Sequence, residues 1–238
     1  MRYRVLATDY DGTLAHDGAV TDSTVAALDR FRATGRRLLM VTGRELEELK
    51  QVCHVLDRFD CVIAENGALL YSPETNETRL LCAPPNPQLV ERLRAARVQP
   101  FSVGHAIIAT REPYETVVIE IIKELGLEVQ VIFNKGAVMV LPTGVNKASG
   151  LKAAMSEMEI ESDGIVGVGD AENDHAFLEL CRVGAAVANA LPVLKERADL
   201  VTNGARGDGV AELIDHILAN DLADVTLRER EPQPAATI

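Results

Sequence analysis

Short, almost wholly apolar runs recur along the chain, and each of them ends at polar residues. They lie at residues 5–8, 38–41, 61–64, 165–168 and 185–188. Such runs are typical of parallel strands in a sheet that is covered on both faces, because neither face has to meet water. The pattern therefore predicts a buried parallel sheet with polar side chains gathered where its strands end.

Segments with helical spacing alternate with these runs. Their apolar stripes are Val25, Leu28 and Phe31; Leu46, Leu49, Val52 and Leu56; Leu151, Ala154, Met155 and Met158; and Val210, Leu213, Ile214, Ile217 and Leu218. Gly35 stands where the first helix would be capped, and Pro192 opens a further short helix. This alternation predicts an α/β fold, a doubly wound parallel sheet of Rossmann type, which binds ligands beyond the carboxyl ends of its strands.

Residues 84–143 depart from the alternation. The stretch opens with Pro84-Pro85-Asn86-Pro87, continues through predicted helices and a strand, and contains a predicted hairpin around Asn134-Lys135-Gly136. We therefore predict a small inserted α+β domain over 84–143 and a core domain made of 1–83 and 144–225. Residues 226–238 lack apolar periodicity, which predicts a disordered tail or a linker to a further domain.

Composition limits the class of protein and of partner. Of the 238 residues, 47% are hydrophobic and 25% are charged, which is typical of a folded domain with a sizeable core. The net charge of −12 leaves no basic surplus for a nucleic acid, and no apolar run reaches the ~20 residues of a membrane span. Four irregularly spaced cysteines indicate reduced thiols, so we expect a cytoplasmic protein, monomeric or homodimeric.

The strongest chemical signal is Asp9-Tyr10-Asp11-Gly12-Thr13-Leu14, directly after the first apolar run. Residues two apart on an extended chain point the same way, so both carboxylates face one side of a strand end. Such a pair can divide the roles of nucleophile and of acid/base. The alternative interpretation is an ordinary Asp-Gly surface turn.

Two further stretches have an anion-binding interpretation. Thr42-Gly43-Arg44 follows the second run and is predicted to start a helix, where a hydroxyl and backbone N–H groups bind anions. The alternative is an ordinary N-cap threonine beside a solvated arginine. Lys147 follows the insert and precedes the third helix, where its ammonium can neutralise phosphate oxygens; the alternative is a solvated surface lysine.

Gly169-Asp170-Ala171-Glu172-Asn173-Asp174 follows the fourth apolar run. Asp170 and Asp174 offer the hard oxygen ligands that Mg²⁺ prefers. The alternative is an acidic helix N-terminus that is stabilised by the helix dipole.

Together and in this order, the four stretches resemble the haloacid dehalogenase superfamily of phosphohydrolases, over about residues 3–220. The insert, preceded by Glu65-Asn66-Gly67-Ala68, is similar to the type IIB cap. That subfamily includes sugar-phosphate, sucrose-phosphate and mannosyl-phosphoglycerate phosphatases, archaeal-type phosphoglycolate phosphatases and phosphomannomutases.

The resemblance implies a Mg²⁺-dependent phosphomonoesterase whose partner is a small phosphorylated metabolite, such as a sugar phosphate or phosphoglycolate. It implies that Asp9 forms an aspartyl-phosphate while Asp11 acts first as acid and then as base. The implied metal ligands are Asp9, Asp11 through its backbone carbonyl, and Asp170, with Asp174 orienting Asp170 or a metal-bound water. The implied phosphate- and substrate-binding residues are Thr42, Gly43, Arg44, Lys147 and Asn173.

Two alternatives remain at this point. A phosphomutase of the same fold uses the same nucleophile, and a non-catalytic regulatory module could belong to a missing downstream domain. The complete set of Asp9, Asp11, Lys147 and Asp170 argues against the second alternative. Polar residues of the insert that are candidates for substrate selection, each with a solvated surface role as the alternative, are Arg97, His105, Asn134 and Lys135.

Overall fold

The computed structural model of the protein describes residues 1–134 and 136–228. The strands are β1 (Val5–Thr8), β2 (Arg37–Val41), β3 (Cys61–Ala64), β4 (Leu69–Tyr71), β5 (Thr78–Leu80), β6 (Ser102–Val103), β7 (Ile108–Arg111), β8 (Val129–Asn134), β9 (Ala137–Pro142), β10 (Ile165–Gly169), β11 (Val183–Ala186) and β12 (Leu200–Val201). The helices are α1 (Asp22–Ala33), α2 (Leu46–Val52), α3 (Pro87–Ala95), α4 (Glu115–Glu124), α5 (Lys147–Glu157), α6 (His175–Leu180), α7 (Pro192–Arg197) and α8 (Arg206–Asn220).

The larger sheet has the strand order β12-β11-β10-β1-β2-β3-β4-β5. Its strands from β12 to β3 are parallel, which confirms the predicted doubly wound α/β core. The strands β4 and β5 add an antiparallel edge that the sequence pattern did not predict. Helix α1 packs on α8, and α5 packs on α6. This sheet and these helices are called the core below.

The predicted apolar runs are buried because they form the middle of the core sheet. Every residue of β1, β3 and β11 is buried, as expected for strands with no solvated face. The strand at the fifth run, Val183–Ala186, begins and ends two residues before the predicted run, and the chain leaves the sheet after Ala186. The second helix was predicted to extend to Leu56, but it ends at Val52 because Cys53 has an extended backbone conformation.

Residues of the insert form a second sheet, which is antiparallel and has the strand order β6-β7-β9-β8. Helices α3 and α4 pack on one face of it through an apolar cluster that includes Leu89, Leu93 and Val118. Met139 on the other face and Ile107 in the loop before β7 belong to a smaller cluster that also contains Ala68 of the core. The predicted β8–β9 hairpin is confirmed, β6 was not predicted, and the domain boundaries at 83/84 and 143/144 stay predictions.

The end of the described chain still contacts the core. Leu227 packs against the main apolar cluster, and the backbone N–H of Arg228 donates to Asp199 at 2.8 Å. The predicted disordered tail over 226–238 stays a prediction, because residues 229–238 lie outside the described part of the chain. Among the helices of residues 1–134 and 136–228, none is both long enough and apolar enough to cross a bilayer.

Candidate active site

Two neighbouring parallel strands bring two aspartates together at the carboxyl edge of the core sheet. Asp9 directly follows β1 and Asp170 directly follows β10, and the backbone N–H of Asp9 donates to the carbonyl of Val168 at 3.0 Å. Asp174 lies in the short 3₁₀ turn Glu172–Asp174. The carboxylates of Asp9, Asp170 and Asp174 are buried, and each contributes an oxygen within 4.8 Å of the other two.

Lys147 places its ammonium between two of these carboxylates. Its Nζ donates to Asp9 Oδ1 and to Asp174 Oδ1, each at 2.6 Å, and its side chain is only 2% exposed. Lys147 is the first residue of α5, and the N-cap Asn146 exchanges hydrogen bonds with Ser149 in a capping box. This capped helix start fixes where the lysine enters the aspartate cluster.

Burial and neighbouring charges act against each other in this cluster. Burial, together with the charges of Asp174 and Asp170, raises the pKa of Asp9 to about 7 although Lys147 opposes the shift. Burial alone lowers the pKa of Lys147, but the carboxylates of Asp174 and Asp9 outweigh it and hold that pKa above its ordinary value. Three carboxylates and one ammonium leave a formal charge of −2, which one divalent cation neutralises.

Asp174 is engaged on both of its carboxylate oxygens. Its Oδ1 accepts from Lys147, and its Oδ2 accepts the backbone N–H groups of Asp170 and Ala171 at 2.8 and 2.9 Å. A Cβ at position 169 would lie 2.7 Å from the Asp174 carboxylate, so the close approach requires Gly169. Asp174 therefore holds the position of the Asp170 backbone.

The Asp11 side chain lies outside the aspartate cluster and binds Arg44. The guanidinium donates from Nε to Asp11 Oδ2 at 2.6 Å and from Nη2 to Asp11 Oδ1 at 2.7 Å. The third guanidinium nitrogen, Nη1, donates to Glu48 at 2.5 Å. The Asp11 side chain is 43% exposed, and Arg44 is held by two carboxylates rather than solvated.

The prediction that Thr42-Gly43-Arg44 starts a helix is wrong. Helix α2 begins at Leu46 with Glu45 at its N-cap, so these three residues form a loop before it. Thr42 is fully buried, and its hydroxyl oxygen accepts the backbone N–H of Arg44 at 3.2 Å. Gly43 lines the cleft, and a Cβ there would lie 3.7 Å from Asn173 and 3.9 Å from Met139.

Asn173 joins the loop after β10 to the turn after β3. Its Nδ2 donates to Asn66 Oδ1 at 3.2 Å. Asn173 Oδ1 and Asn66 Nδ2 are buried and have no hydrogen-bond partner within the described residues. With both amides reversed, the same hydrogen bond runs from Asn66 Nδ2 to Asn173 Oδ1, and Asn173 Nδ2 takes the buried position that has no partner among the described residues.

A cleft of about 210 Å³ lies between these core loops and the insert. The core lines it with Asp9, Asp11, Gly43, Arg44, Glu45, Glu48, Lys147, Ala171 and Asn173. The insert lines it with Ser102, Ile107, Ala109, Asn134, Ala137 and Met139. Of the polar candidates in the insert, Asn134 is at the cleft, His105 binds Glu65, Arg97 is an exposed residue away from the cleft lining, and Lys135 lies outside the described residues.

The model of the haloacid dehalogenase-like hydrolases matches residues 6–96 and 96–214 of the chain. The chain belongs to this family. It is an enzyme, a phosphatase of the haloacid dehalogenase superfamily, as the resemblance of its four motifs predicted.

Relatives of this hydrolase cover almost its whole length. It is 30% identical to the phosphoglycolate phosphatase of Methanothermobacter thermautotrophicus, over 89% of this chain and 97% of that one. It is 29% identical to phosphoglycolate phosphatase 2 of Saccharolobus solfataricus, over 91% of this chain and 93% of that one.

Solved structures share the fold of this hydrolase. One is a haloacid dehalogenase-like hydrolase from Bacteroides thetaiotaomicron, with a TM-score of 0.75 at 20% identity over 90% of this chain and 99% of that one. Another is a subclass IIB sugar phosphatase, with a TM-score of 0.70 at 18% identity over 90% of this chain and 98% of that one.

Several residues around the hydrolase site were not found from the sequence. Thr13 donates its hydroxyl to Asp170 Oδ1 at 3.1 Å, and Asn189 donates to the carbonyl of Gly12 at 2.8 Å. Thr13 lies inside the first motif, and this position in the sequence was a signal that it lies near the site. Asn189 and Met139 lie in segments without a recognisable motif, and only the fold brings them to the site.

Proposed function

We propose that this hydrolase is a Mg²⁺-dependent phosphomonoesterase that hydrolyses a small polar phosphate ester through an aspartyl-phosphate on Asp9. The observation that carries the proposal is the buried group of Asp9, Asp170, Asp174 and Lys147 at one end of the cleft, with Asp11 beside it. A nucleophile, a cation and a second carboxylate are the parts that phosphoryl transfer through an enzyme carboxylate requires.

The donor set fits Mg²⁺, because it consists of hard carboxylate oxygens whose formal charge, with Lys147, is −2. Asp9 and Asp170 are the proposed side-chain ligands, with the backbone carbonyl of Asp11 as a third ligand. Asp174 is a proposed positioning residue, since both of its oxygens already accept hydrogen bonds. When bound, the ion supplies electrostatic stabilisation of the charge on the phosphoryl oxygens.

In the first proposed step, an Asp9 carboxylate oxygen attacks the phosphorus and the bond from phosphorus to the ester oxygen breaks. Asp11 gives its proton to the departing alkoxide oxygen. In the second step Asp11 takes a proton from a water molecule, which attacks the phosphorus and releases phosphate from Asp9. Lys147, Thr42, Gly43 and Asn173 are the proposed contacts of the phosphoryl oxygens.

The contact between Asp11 and Arg44 adds a requirement to this scheme. Asp11 cannot donate a proton while both of its oxygens accept hydrogen bonds from the guanidinium. We infer that Arg44 releases Asp11 when an ester enters the cleft and then contacts the substrate. Glu48, which already accepts from Arg44, keeps the guanidinium at the cleft during this exchange.

The insert, residues 84–143, is proposed to act as a type IIB cap that selects the leaving group. The cleft of about 210 Å³ is smaller than the ~300–1,000 Å³ of pockets for drug-sized ligands. This volume supports a short leaving group, and the names of the relatives support phosphoglycolate as the first substrate to test. The proposed setting is the cytoplasm, where thiols such as the buried Cys53 and Cys61 stay reduced.

The test is a phosphate-release assay over a panel of phosphorylated metabolites that includes 2-phosphoglycolate, sugar phosphates and p-nitrophenyl phosphate. We expect Mg²⁺-dependent release of inorganic phosphate without a bisphosphate activator, and loss of release in excess EDTA. Asp9→Asn should lower kcat by more than about a thousandfold, or ~4 kcal/mol of barrier, with mass spectrometry excluding deamidation back to aspartate. Full turnover in EDTA or by Asp9→Asn would contradict the mechanism, and a bisphosphate requirement would favour a phosphomutase.

A further inference from the structure

The buried carboxylate of Glu65 crosses from the core to the insert. Glu65 follows β3, and its side chain is wholly buried. Its Oε1 accepts from the backbone N–H of His105 at 3.0 Å and lies 3.2 Å from the His105 ring nitrogen Nδ1. Its Oε2 accepts the backbone N–H groups of Ala106 and Ile107 at 2.8 and 3.2 Å. One core side chain therefore binds three successive amides of the loop between β6 and β7.

The turn that carries Glu65 has an uncommon backbone. Glu65, Asn66 and Gly67 have successive φ values of 51°, 57° and 98°. The left-handed region is costly for residues with a side chain, and such strain persists where surrounding contacts hold it. Here the holding contacts come from the loop that contains Gly43. The backbone N–H of Glu65 donates to the Arg44 carbonyl and that of Asn66 to the Thr42 carbonyl, each at 2.9 Å.

The loop that Glu65 binds forms part of the cleft wall. Ile107 ends this loop and lines the cleft. In the adjoining strands, Ala109 of β7 pairs with Met139 of β9, and Met139 lies 3.9 Å from the Cβ position of Gly43. The position of this apolar wall relative to Gly43 therefore depends on how the β6–β7 loop is attached to the core.

We propose that Glu65 is a positioning residue that holds the insert over the cleft and thereby limits the size of the leaving group. This proposal rests on the proposed phosphatase function. Glu65 does not line the cleft, so it acts through the three amides and through Ile107. A second core carboxylate, Glu45, accepts a hydrogen bond from the hydroxyl of Ser102 on β6 and supports the same attachment.

Gly104 of the insert leaves open the space that the Glu65 carboxylate occupies. A Cβ on Gly104 would lie 2.8 Å from three atoms of the Glu65 carboxylate group. The backbone φ of Gly104 is not in the left-handed region, so alanine fits the backbone and disturbs only the space that the carboxylate needs. Gly104→Ala therefore weakens the contact from the insert side, while Glu65 and the core stay unchanged.

The experiment compares Glu65→Gln, Gly104→Ala and the double variant with the wild-type protein. The control is Glu91→Gln, the same chemical change at an exposed position of α3. Amide hydrogen exchange of residues 105–107 measures the attachment directly, without substrate. The ratio of kcat/KM for 2-phosphoglycolate to that for glucose 6-phosphate measures size selection in the presence of Mg²⁺.

We expect exchange of these amides to be at least about tenfold faster in both single variants. Glu65→Gln replaces one carboxylate oxygen with an amide donor, and Gly104→Ala displaces the carboxylate from the amides. The selectivity ratio should fall by about tenfold, through a lower KM for the bulky ester and little change in its kcat. The double variant should show no faster amide exchange and no lower selectivity ratio than the more affected single variant, because both changes break the same contact.

Failure of the positioning role and failure of the proposed phosphatase function give different results. Unchanged exchange at 105–107 in both variants, or faster exchange with an unchanged ratio, would overturn the positioning role while phosphate release continued. Gly104→Ala keeps the test decisive if Glu65→Gln does not fold. Absence of phosphate release by the wild-type protein on every ester would overturn the proposed function and with it the limit on leaving-group size.

Discussion

Lys147 Nζ lies 2.6 Å from Asp9 Oδ1, although the two residues are 138 positions apart in the chain. The ammonium also lies 2.6 Å from Asp174, and all three side chains are buried. A buried charge without a partner is far more costly than a paired one, so each of these residues depends on the others. The same contact keeps the Lys147 ammonium beside the proposed position of the phosphoryl group.

Replacing Lys147 by methionine should lower the stability of the protein. The variant keeps the length of the side chain but leaves the carboxylates of Asp9, Asp170 and Asp174 together without their cation. Breaking a buried ion pair in this way costs about 3–5 kcal/mol. Urea unfolding at neutral pH without Mg²⁺ measures the loss. The control Lys152→Met lies on the same helix at an exposed position, and an equal loss in both variants would contradict the prediction.

The sequence predicted the part of the site that follows from strand order. Asp9 and Asp170 each follow an apolar run, and parallel strands end at the same edge of a sheet. The proximity of the two aspartates could therefore be predicted from the sequence alone. The short edge strands β4 and β5 could not be predicted, because three residues are too few to show a hydrophobic period.

The side-chain contacts between distant segments were also beyond sequence reasoning. Arg44 binds Asp11 across 33 positions, and Glu65 binds the amide of His105 across 40 positions. Neither contact leaves a periodic trace, and the partners of Glu65 are backbone amides that carry no residue identity. The interpretation of Thr42 as the start of a helix failed for a local reason, since its hydroxyl accepts from Arg44 within a loop.

Mg²⁺ should stabilise the wild-type protein against heat. At a concentration of one hundred times Kd, a ligand that binds only the folded state contributes about 2.7 kcal/mol, which is several degrees in Tm for a chain of this size. Asp170→Asn should abolish the shift, because it removes one charge and one ligand oxygen from the cluster. Thermal unfolding with and without Mg²⁺ tests this, with the exposed Asp163→Asn as control. A full shift in Asp170→Asn would exclude Asp170 as a ligand.

Met139→Ala should widen the cleft opposite Gly43. Met139 is buried in the apolar cluster that joins the insert to Ala68, so we also expect a loss of about 2–5 kcal/mol in stability. The measured quantity is kcat/KM for a bulky relative to a small phosphate ester, which should rise. Met139→Leu conserves volume and should keep the wild-type ratio. A ratio that is unchanged in Met139→Ala would mean that this side chain does not limit the leaving group.

Asp221→Asn should reduce stability at neutral pH but not in acid. Burial raises the pKa of Asp221, but the backbone N–H of Arg2 and the guanidinium of Arg36 outweigh it and lower that pKa below its ordinary 3.8. Arg36 Nη2 lies 2.8 Å from Asp221 Oδ1, and Asp221 has a left-handed backbone that asparagine also tolerates.

The sign of the pH effect follows from the lowered pKa. The unfolded chain binds the proton more readily, so the contribution of Asp221 is complete above the ordinary pKa and is lost as the pH falls through the folded-state value. Urea unfolding should therefore show a cost of about 1–3 kcal/mol for Asp221→Asn at pH 7, and a shrinking difference from wild type below about pH 4. Asp215→Asn, which removes an exposed pair with Arg30, should cost less than about 1 kcal/mol. A difference between wild type and Asp221→Asn that stayed constant from pH 7 to the lowest pH of folding would show that the ion pair with Arg36 does not stabilise this end of α8.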